Sequence, residues 1–208
     1  MLAETLKQVI NNLRIWQRGD QRAPHKPLLL LYALGRVSRG EPRKMQYELV
    51  KDDLKRLLTE FGPPRTVHSS SYPFIRLSND RALDSNMPIW EISGLESLKT
   101  NKDWTERELV DNQTEGGFTE EVYNLLKEDH NLIRELATSI LNNNFPSTLH
   151  EDILVQVGLV FEPTGKATRS PDFRDRILKA YEYSCAVCGF DVRLGDTLVA
   201  VEAAYIKW

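Results

Sequence analysis

Three stretches of this chain carry side chains whose types and spacing suit chemistry. Near the end, Cys185 and Cys188 stand two residues apart in C-A-V-C-G-F. That spacing lets two thiolates reach one tetrahedral ion at ~2.3 Å, and the small Gly189 permits the tight turn this requires. With only 2 cysteines in the chain there is no larger disulfide framework, so metal or redox chemistry is the expectation. Near the start, A-P-H-K-P sets His25 and Lys26 between Pro24 and Pro27. The prolines fix two backbone angles and bias the residue before each toward extended conformations. The third stretch, S-Y-P-F-I-R-L-S-N-D over 71–80, gathers an aromatic ring, a proline, a cation and a polar turn.

The elements that must position these groups are mostly helical. Leu2, Leu6, Val9, Ile10, Leu13 and Trp16 recur at three- and four-residue steps, which predicts a helix over Leu2–Gln17 with Trp16 in the core. Pro27 suits a helix's first turn, and L-L-L-L-Y-A-L-G-R-V, apolar nearly all round, predicts a buried helix ending near Gly40. A third helix is expected over Gln46–Phe61, stopping at G-P-P. In 68–92 the runs Y-P-F-I-R-L and P-I-W-E-I are rich in strand formers and separated by turn residues, which predicts a hairpin or small sheet with Phe74 and Trp90 in the core. Residues 103–160 are expected to be helical, with Thr119 as an N-cap and Leu125, Leu126, Ile133, Leu136, Ile140 and Leu141 facing inward. Residues 163–171, with two prolines and a glycine, make a linker, and D-F-R-D-R-I-L-K-A-Y-E-Y is a helix leading into the cysteines. His68, His130 and His150 are scattered without ligand spacing and are expected at the surface.

Composition bounds the partners. The 208 residues suit one ordinary domain and part of another, and 41% hydrophobic content is enough for a core. No apolar run approaches the ~20 residues of a membrane span, and the start lacks a signal peptide's continuous apolar stretch. A cytoplasmic protein is expected, with no membrane partner and no small-molecule substrate. The net charge of −3 conceals an asymmetry: residues 1–76 hold 14 Lys and Arg against 7 Asp and Glu, residues 77–165 hold 6 against 17, and residues 166–208 hold 7 against 6. A basic first third attracts phosphates, with the acidic segment expected to face away or discourage nonspecific association. Solvated cations on helix faces are the plainer alternative.

C-A-V-C-G-F followed by D-V-R-L-G-D-T-L-V-A-V-E-A-A resembles the opening of the ββα-metal nucleases of the HNH family: a knuckle turn, a hairpin and then a strand. That resemblance implies a structural zinc, for which Cys185 and Cys188 would be a half site, a divalent ion for cleavage, and a histidine as general base. Position 205 holds Tyr205 instead, a phenol protonated at neutral pH and a poor base for water. The segment 172–208 is therefore expected to be a truncated nuclease domain that does not cut. A removed end with an inactivating substitution, a degenerate remnant and a redox pair on another fold are the three alternatives.

R-I-W-Q-R-G-D-Q-R-A-P-H-K-P-L-L-L-L-Y-A-L-G-R-V, with S-Y-P-F-I-R-L-S-N-D and M-P-I-W-E-I, resembles the sulfur-binding domain of McrA-like, modification-dependent (type IV) HNH restriction endonucleases, over most of residues 1–162. The resemblance implies an α+β fold, a helix-rich DNA-binding domain with a small hairpin or sheet, followed by the incomplete HNH segment. It implies double-stranded DNA carrying a phosphorothioate as the partner, with a homodimer left open. A phosphorothioate keeps its charge, but its sulfur is larger and less strongly hydrated than oxygen, so a discriminating pocket needs apolar wall beside cations. By this resemblance Pro24, His25, Lys26, Tyr72 and Pro73 form the pocket, Arg22 and Arg76 contact backbone or bases, and Asn79 and Asp80 reach base edges. Each has a plainer reading: a loop-bonding histidine, solvated Lys26 and Arg22, ordinary core for Tyr72 and Pro73. A generic DNA-binding module without sulfur selectivity and an active zinc-dependent nuclease are the rival functions.

Overall fold

The computed structural model describes residues 2–18, 21–63, 69–82, 86–95, 104–159, 161, 178–185, 188–191, 193–194 and 197–198. It divides into two compact units, Met1–Val160 and Phe161–Trp208. The first contains helices α1 (Leu2–Asn11), α2 (His25–Ser38), α3 (Tyr47–Phe61), α4 (Ser71–Arg76), α5 (Glu106–Asp111), α6 (Glu120–Glu128), α7 (His130–Asn144) and α8 (His150–Val157). Its strands are β1 (Gln17–Arg18), β2 (Gln21–Arg22), β3 (Lys44–Gln46), β4 (Trp90–Ser93) and β5 (Glu115–Phe118). This is the helix-rich α+β fold expected. None of the described helices is long and apolar enough to cross a membrane.

Four consecutive leucines fix the centre. A helix apolar on every side is satisfied only by burial on every side, and Leu28, Leu29, Leu30 and Leu31 are at most 1% exposed. α2 accordingly packs against α3, α4, α6, α7 and α8. Each of these leucines contributes about 1.5–3 kcal/mol by leaving water.

The small sheet is assembled from distant segments. β5 lies in the middle, antiparallel to β3 on one side and β4 on the other, with Gly116 opposite both Met45 and Ile92. Residues 103–160 are therefore not helical throughout. Two glycines put a strand there: a Cβ on Gly116 would lie 2.8 Å from the Phe74 ring, and one on Gly117 would lie 2.2 Å from the Arg43 carbonyl oxygen. Only glycine admits that approach of ring and backbone.

Three further expectations are corrected. Y-P-F-I-R-L is not a strand: it forms α4 and runs into a 3-10 turn, Leu77–Asn79. Its aromatic residues raise strand propensity, but packing overrides that. Phe74 meets Tyr47 edge-on at 5.1 Å and Trp90 at 6.1 Å, Trp90 meets Phe118 at 5.7 Å, and the Trp90 indole N–H donates to the Phe74 carbonyl at 3.0 Å. Pro73 sits within the first turn, where its missing N–H costs no helical bond. Pro27 is tolerated in the first turn of α2 for the same reason, and Lys26 is helical there despite the steric bias of a residue before proline toward extended conformations. Finally, α1 stops at Asn11 instead of running to Gln17. Asn12 closes it, donating from both its backbone N–H, at 3.0 Å, and its side-chain amide, at 2.9 Å, to the Gln8 carbonyl. Residues 13–16 then run outside any regular element, and Trp16, expected in the core, is 54% exposed.

Thr119 occupies the N-cap of α6, but its hydroxyl donates to the Pro88 carbonyl at 3.5 Å instead of capping. His130 is exposed, whereas His150 is half-buried and hydrogen-bonds the Phe145 carbonyl at 2.9 Å. In the second unit, residues 178–180 are helical and β6 (Arg193–Leu194) pairs antiparallel with β7 (Thr197–Leu198). His68, residues 163–171 and Tyr205 lie outside the described residues.

Candidate nucleic-acid interface

The start of α2 carries two of the residues expected to bind, His25 and Lys26. Pro24 occupies the N-cap with near-helical angles, φ −78° and ψ −5°, and no side chain caps the helix. With prolines at both 24 and 27, the first turn carries two backbone N–H groups where four are usual. Pro24 and Pro27 are buried, while His25 and Lys26 are half-buried.

Lys26 reaches Asp80. The ammonium forms an ion pair with the Asp80 carboxylate and also donates to the Arg14 carbonyl at 2.9 Å. Asp80 accepts a second bond, from the Arg14 N–H at 2.9 Å. One carboxylate, 3% exposed, thus ties together the segment after α1, the start of α2 and the end of the turn after α4. Arg14 and Asp80 are 66 residues apart in sequence. Removing one partner of such a buried pair leaves an uncompensated charge, at a cost of about 3–5 kcal/mol.

α4 and its 3-10 turn are two-faced. Pro73, Phe74, Leu77 and Ser78 are buried, whereas Tyr72, Arg76 and Asn79, at steps of four and three, are exposed. Tyr72 is 46% exposed, and the Arg76 guanidinium lies 5.1 Å from its ring centroid, a cation–π arrangement. The result is a polarisable ring beside a positive charge, both in contact with solvent.

The nine binding residues proposed from sequence therefore separate. Lys26 with Asp80, and Tyr72 with Arg76, are brought together directly. Pro24 and Pro73 are buried. Asp80 presents no edge to a ligand, because its carboxylate is buried and both oxygens are engaged. The Arg22 side chain is exposed, but one guanidinium nitrogen donates to the Asn143 carbonyl at the end of α7 at 2.8 Å. Asn79 is exposed beside Arg76. Sequence reasoning missed Arg14, whose main chain holds the node, and Trp16, whose exposure the helical periodicity concealed. The overlooked signal was the Asn11–Asn12 pair.

The acidic segment does not simply face away from the basic first third. Glu91 pairs with Arg43 and with Lys44 at 3.1 Å, Glu106 with Lys55 at 2.6 Å, and Glu135 with Lys7 at 2.8 Å. Burial alone would raise the Glu91 pKa, but the bonds from Arg43 and Lys44 outweigh it and hold the carboxyl below its usual value. Arg36 and Arg39 are taken up by Glu41. Three carboxylates of the acidic segment, Glu91, Glu106 and Glu135, thus engage cations of the basic first third.

Main-chain bonds draw Cys185 towards Gly189 and Phe190. The Gly189 N–H donates to the Cys185 carbonyl and the Cys185 N–H to the Phe190 carbonyl, each at 2.8 Å, with Gly189 at φ 71°. Two thiols are half of a tetrahedral set. Among the described residues no group of three or more His, Cys, Asp or Glu is placed to hold a metal ion.

The comparisons with known proteins bear on the first unit. The family described as ScoMcrA-like, DNA sulfur-binding domain, matches residues 3–162. Among solved structures, the sulfur binding domain of ScoMcrA complexed with phosphorothioated DNA is 23% identical, with 74% of this chain and 94% of that chain covered and a TM-score of 0.60. The corresponding domain of SprMcrA, also complexed with phosphorothioated DNA, is 19% identical, with 76% and 94% covered and a TM-score of 0.61. The type IV phosphorothioation-dependent restriction endonuclease ScoMcrA is 23% identical, with 84% of this chain but 38% of that chain covered and a TM-score of 0.57. At such identities the likeness is one of fold. No curated protein matches the chain.

Proposed function

The chain belongs to the ScoMcrA-like DNA sulfur-binding domain family, and from that premise we propose that it recognises double-stranded DNA carrying a phosphorothioate. The observation that carries this reading is the Tyr72–Arg76 pair, a solvent-facing ring with a guanidinium 5.1 Å from its centroid. A phosphorothioate presents two demands at once: a weakly hydrated sulfur that gains by leaving water, and a negative charge that loses unless a cation is near. Tyr72 answers the first and Arg76 the second. His25 adds a ring at the start of α2, and Pro24 and Pro73 stiffen the surface from below, so that little order has to be created on binding.

Lys26 and Asp80 take roles different from direct contact. Their ion pair holds α2 against the end of the α4 turn, which sets the position of His25 relative to the Tyr72 helix face. Arg22 and Asn79 remain at the rim as contacts to backbone or base edges.

Targeting is the activity assigned to this chain, in the cytoplasm and as part of a modification-dependent restriction system. Cutting is not assigned: an HNH-type base would be a histidine, and Tyr205 stands at that position. Incubating the purified chain and its DNA with divalent ions checks this, since metal-dependent cleavage would refute it.

The reading is tested with two duplexes identical except for one stereodefined phosphorothioate, bound by the full chain at fixed near-physiological salt. Burying one sulfur predicts a preference of roughly 5- to 150-fold. Equal affinities with equal salt slopes would leave a generic DNA-binding module, because counterion release is blind to a single sulfur.

A further inference from the structure

Trp16 is an aromatic residue that the fold could have buried and did not. Trp90, in the same unit, is 1% exposed, whereas Trp16 is 54% exposed. Single exposed apolar side chains are ordinary at protein surfaces, so exposure by itself carries little. What distinguishes Trp16 is the backbone that holds it. Its carbonyl accepts the Ala23 N–H at 2.9 Å, one residue before Pro24. Two residues earlier both main-chain groups of Arg14 are engaged, the N–H by Asp80 and the carbonyl by Lys26, each at 2.9 Å. The indole is therefore presented from a segment fixed at both ends, at Arg14 by Asp80 and Lys26, which also anchor α2, and at Trp16 by the Ala23 N–H.

Two arginines lie close to it along the chain and across the β1–β2 pairing. Arg14 and Arg22 are exposed, and β1 and β2 pair Gln17 with Arg22 and Arg18 with Gln21 directly after Trp16. An exposed indole on an anchored backbone, with exposed arginines nearby in the chain, is a composition typical of binding hot spots, where aromatic rings supply contact area at small entropic cost.

We infer that Trp16 is a second contact of this chain on duplex DNA, laying its indole on the sugar–phosphate wall beside the modified phosphate and contributing affinity that does not depend on sulfur. This rests on the DNA reading above. Bases in a duplex are stacked and offer no open faces, but deoxyribose C–H groups line the groove walls, and the indole N–H donates to a phosphate oxygen. Arg14 and Arg22 supply charge to the flanking phosphates. Because Trp16 carries no charge, its share of affinity is independent of salt.

The test measures Trp16→Ala and Trp16→Phe in the full chain, each on the modified and the unmodified duplex, across a range of salt. Trp16→Ala is expected to weaken both complexes by the same factor, roughly 5- to 30-fold, with the modified-to-unmodified ratio and the salt slope unchanged. Trp16→Phe is expected to recover most of the loss. Circular dichroism melting within a few degrees of the parent shows that the exposed side chain is not holding the fold. Affinities of Trp16→Ala within twofold of the parent on both duplexes would overturn the inference, as would a loss confined to the modified duplex. A parent without sulfur preference whose Trp16→Ala variant weakens on both duplexes would refute the sulfur reading and leave this inference standing. A parent that binds neither duplex would refute both.

Discussion

The start of α2 and the cysteine turn look alike as sequence: each is a short run of reactive side chains punctuated by a proline or glycine. They are built on different principles. The cysteine turn is local, its two bonds closing between residues 185 and 190. Its two cysteines make half of a tetrahedral set. The α2 start is made by distant chain: Lys26 meets a carboxylate 54 residues away, and that carboxylate also fixes Arg14. A motif closed by local bonds can be complete in shape and incomplete in chemistry. A motif closed by tertiary contacts has its chemistry decided elsewhere.

That contrast is open to direct attack. The largest effect is expected from Asp80→Ala, which strands the Lys26 charge and frees the Arg14 amide, lowering unfolding free energy by about 3–5 kcal/mol in a urea titration. A loss below about 1 kcal/mol would mean that water already shares the pair and that the node is not what holds α2. Next in size is Tyr72→Ala, which should bring the preference for a phosphorothioate from roughly 5- to 150-fold down to near unity. Tyr72 is exposed, so its removal should alter stability by no more than about 0.5 kcal/mol. Retained preference would move the sulfur contact off α4.

A pH titration sharpens the comparison within the tertiary network. Burial pushes the Tyr47 phenol above its ordinary 10.0, partly offset by its 2.7 Å hydrogen bond with Ser70. The folded state thus favours the protonated phenol. Its contribution is fully present below pH 10, and stability falls as pH rises above that, by up to about 1.4 kcal/mol per unit from this group. In Tyr47→Phe, urea midpoints between pH 9 and 11 should decline less steeply than in the parent. An identical decline would assign alkaline sensitivity to other groups, such as Tyr32, whose phenol burial also raises. The smallest effect belongs to the local motif. Replacing Cys185 and Cys188 by serine should leave sulfur preference unchanged and stability of the first unit within about 0.5 kcal/mol. A larger change would show that the two regions are energetically coupled.

Much of the fold was legible where apolar pattern and breaker residues agree. The leucine run could only be a buried helix, and Tyr47–Phe61 starts one residue from the expected position and stops at Gly62. Reading failed where local preference and packing diverge. Tyr72, Phe74 and Ile75 favour a strand, yet Phe74 is worth more wedged between Tyr47 and Trp90 in a helix. Gly116 and Gly117 fell in a segment expected to be helical, yet they form the central strand because a neighbouring ring and backbone need the space. Trp16 continued α1's periodicity, but the helix had ended five residues earlier.

The sequence by itself determined the family, the central helix, the proline-bracketed start of that helix and the residues from which an interface would be drawn. Tertiary structure alone decided their division of labour. Lys26 and Asp80 were turned toward each other into an ion pair, while Tyr72, Arg76 and Trp16 were left facing water. The reason is physical: whether a charged or aromatic group binds a ligand or holds the fold depends on which partner arrives and whether water leaves, and residues far apart in the chain settle both.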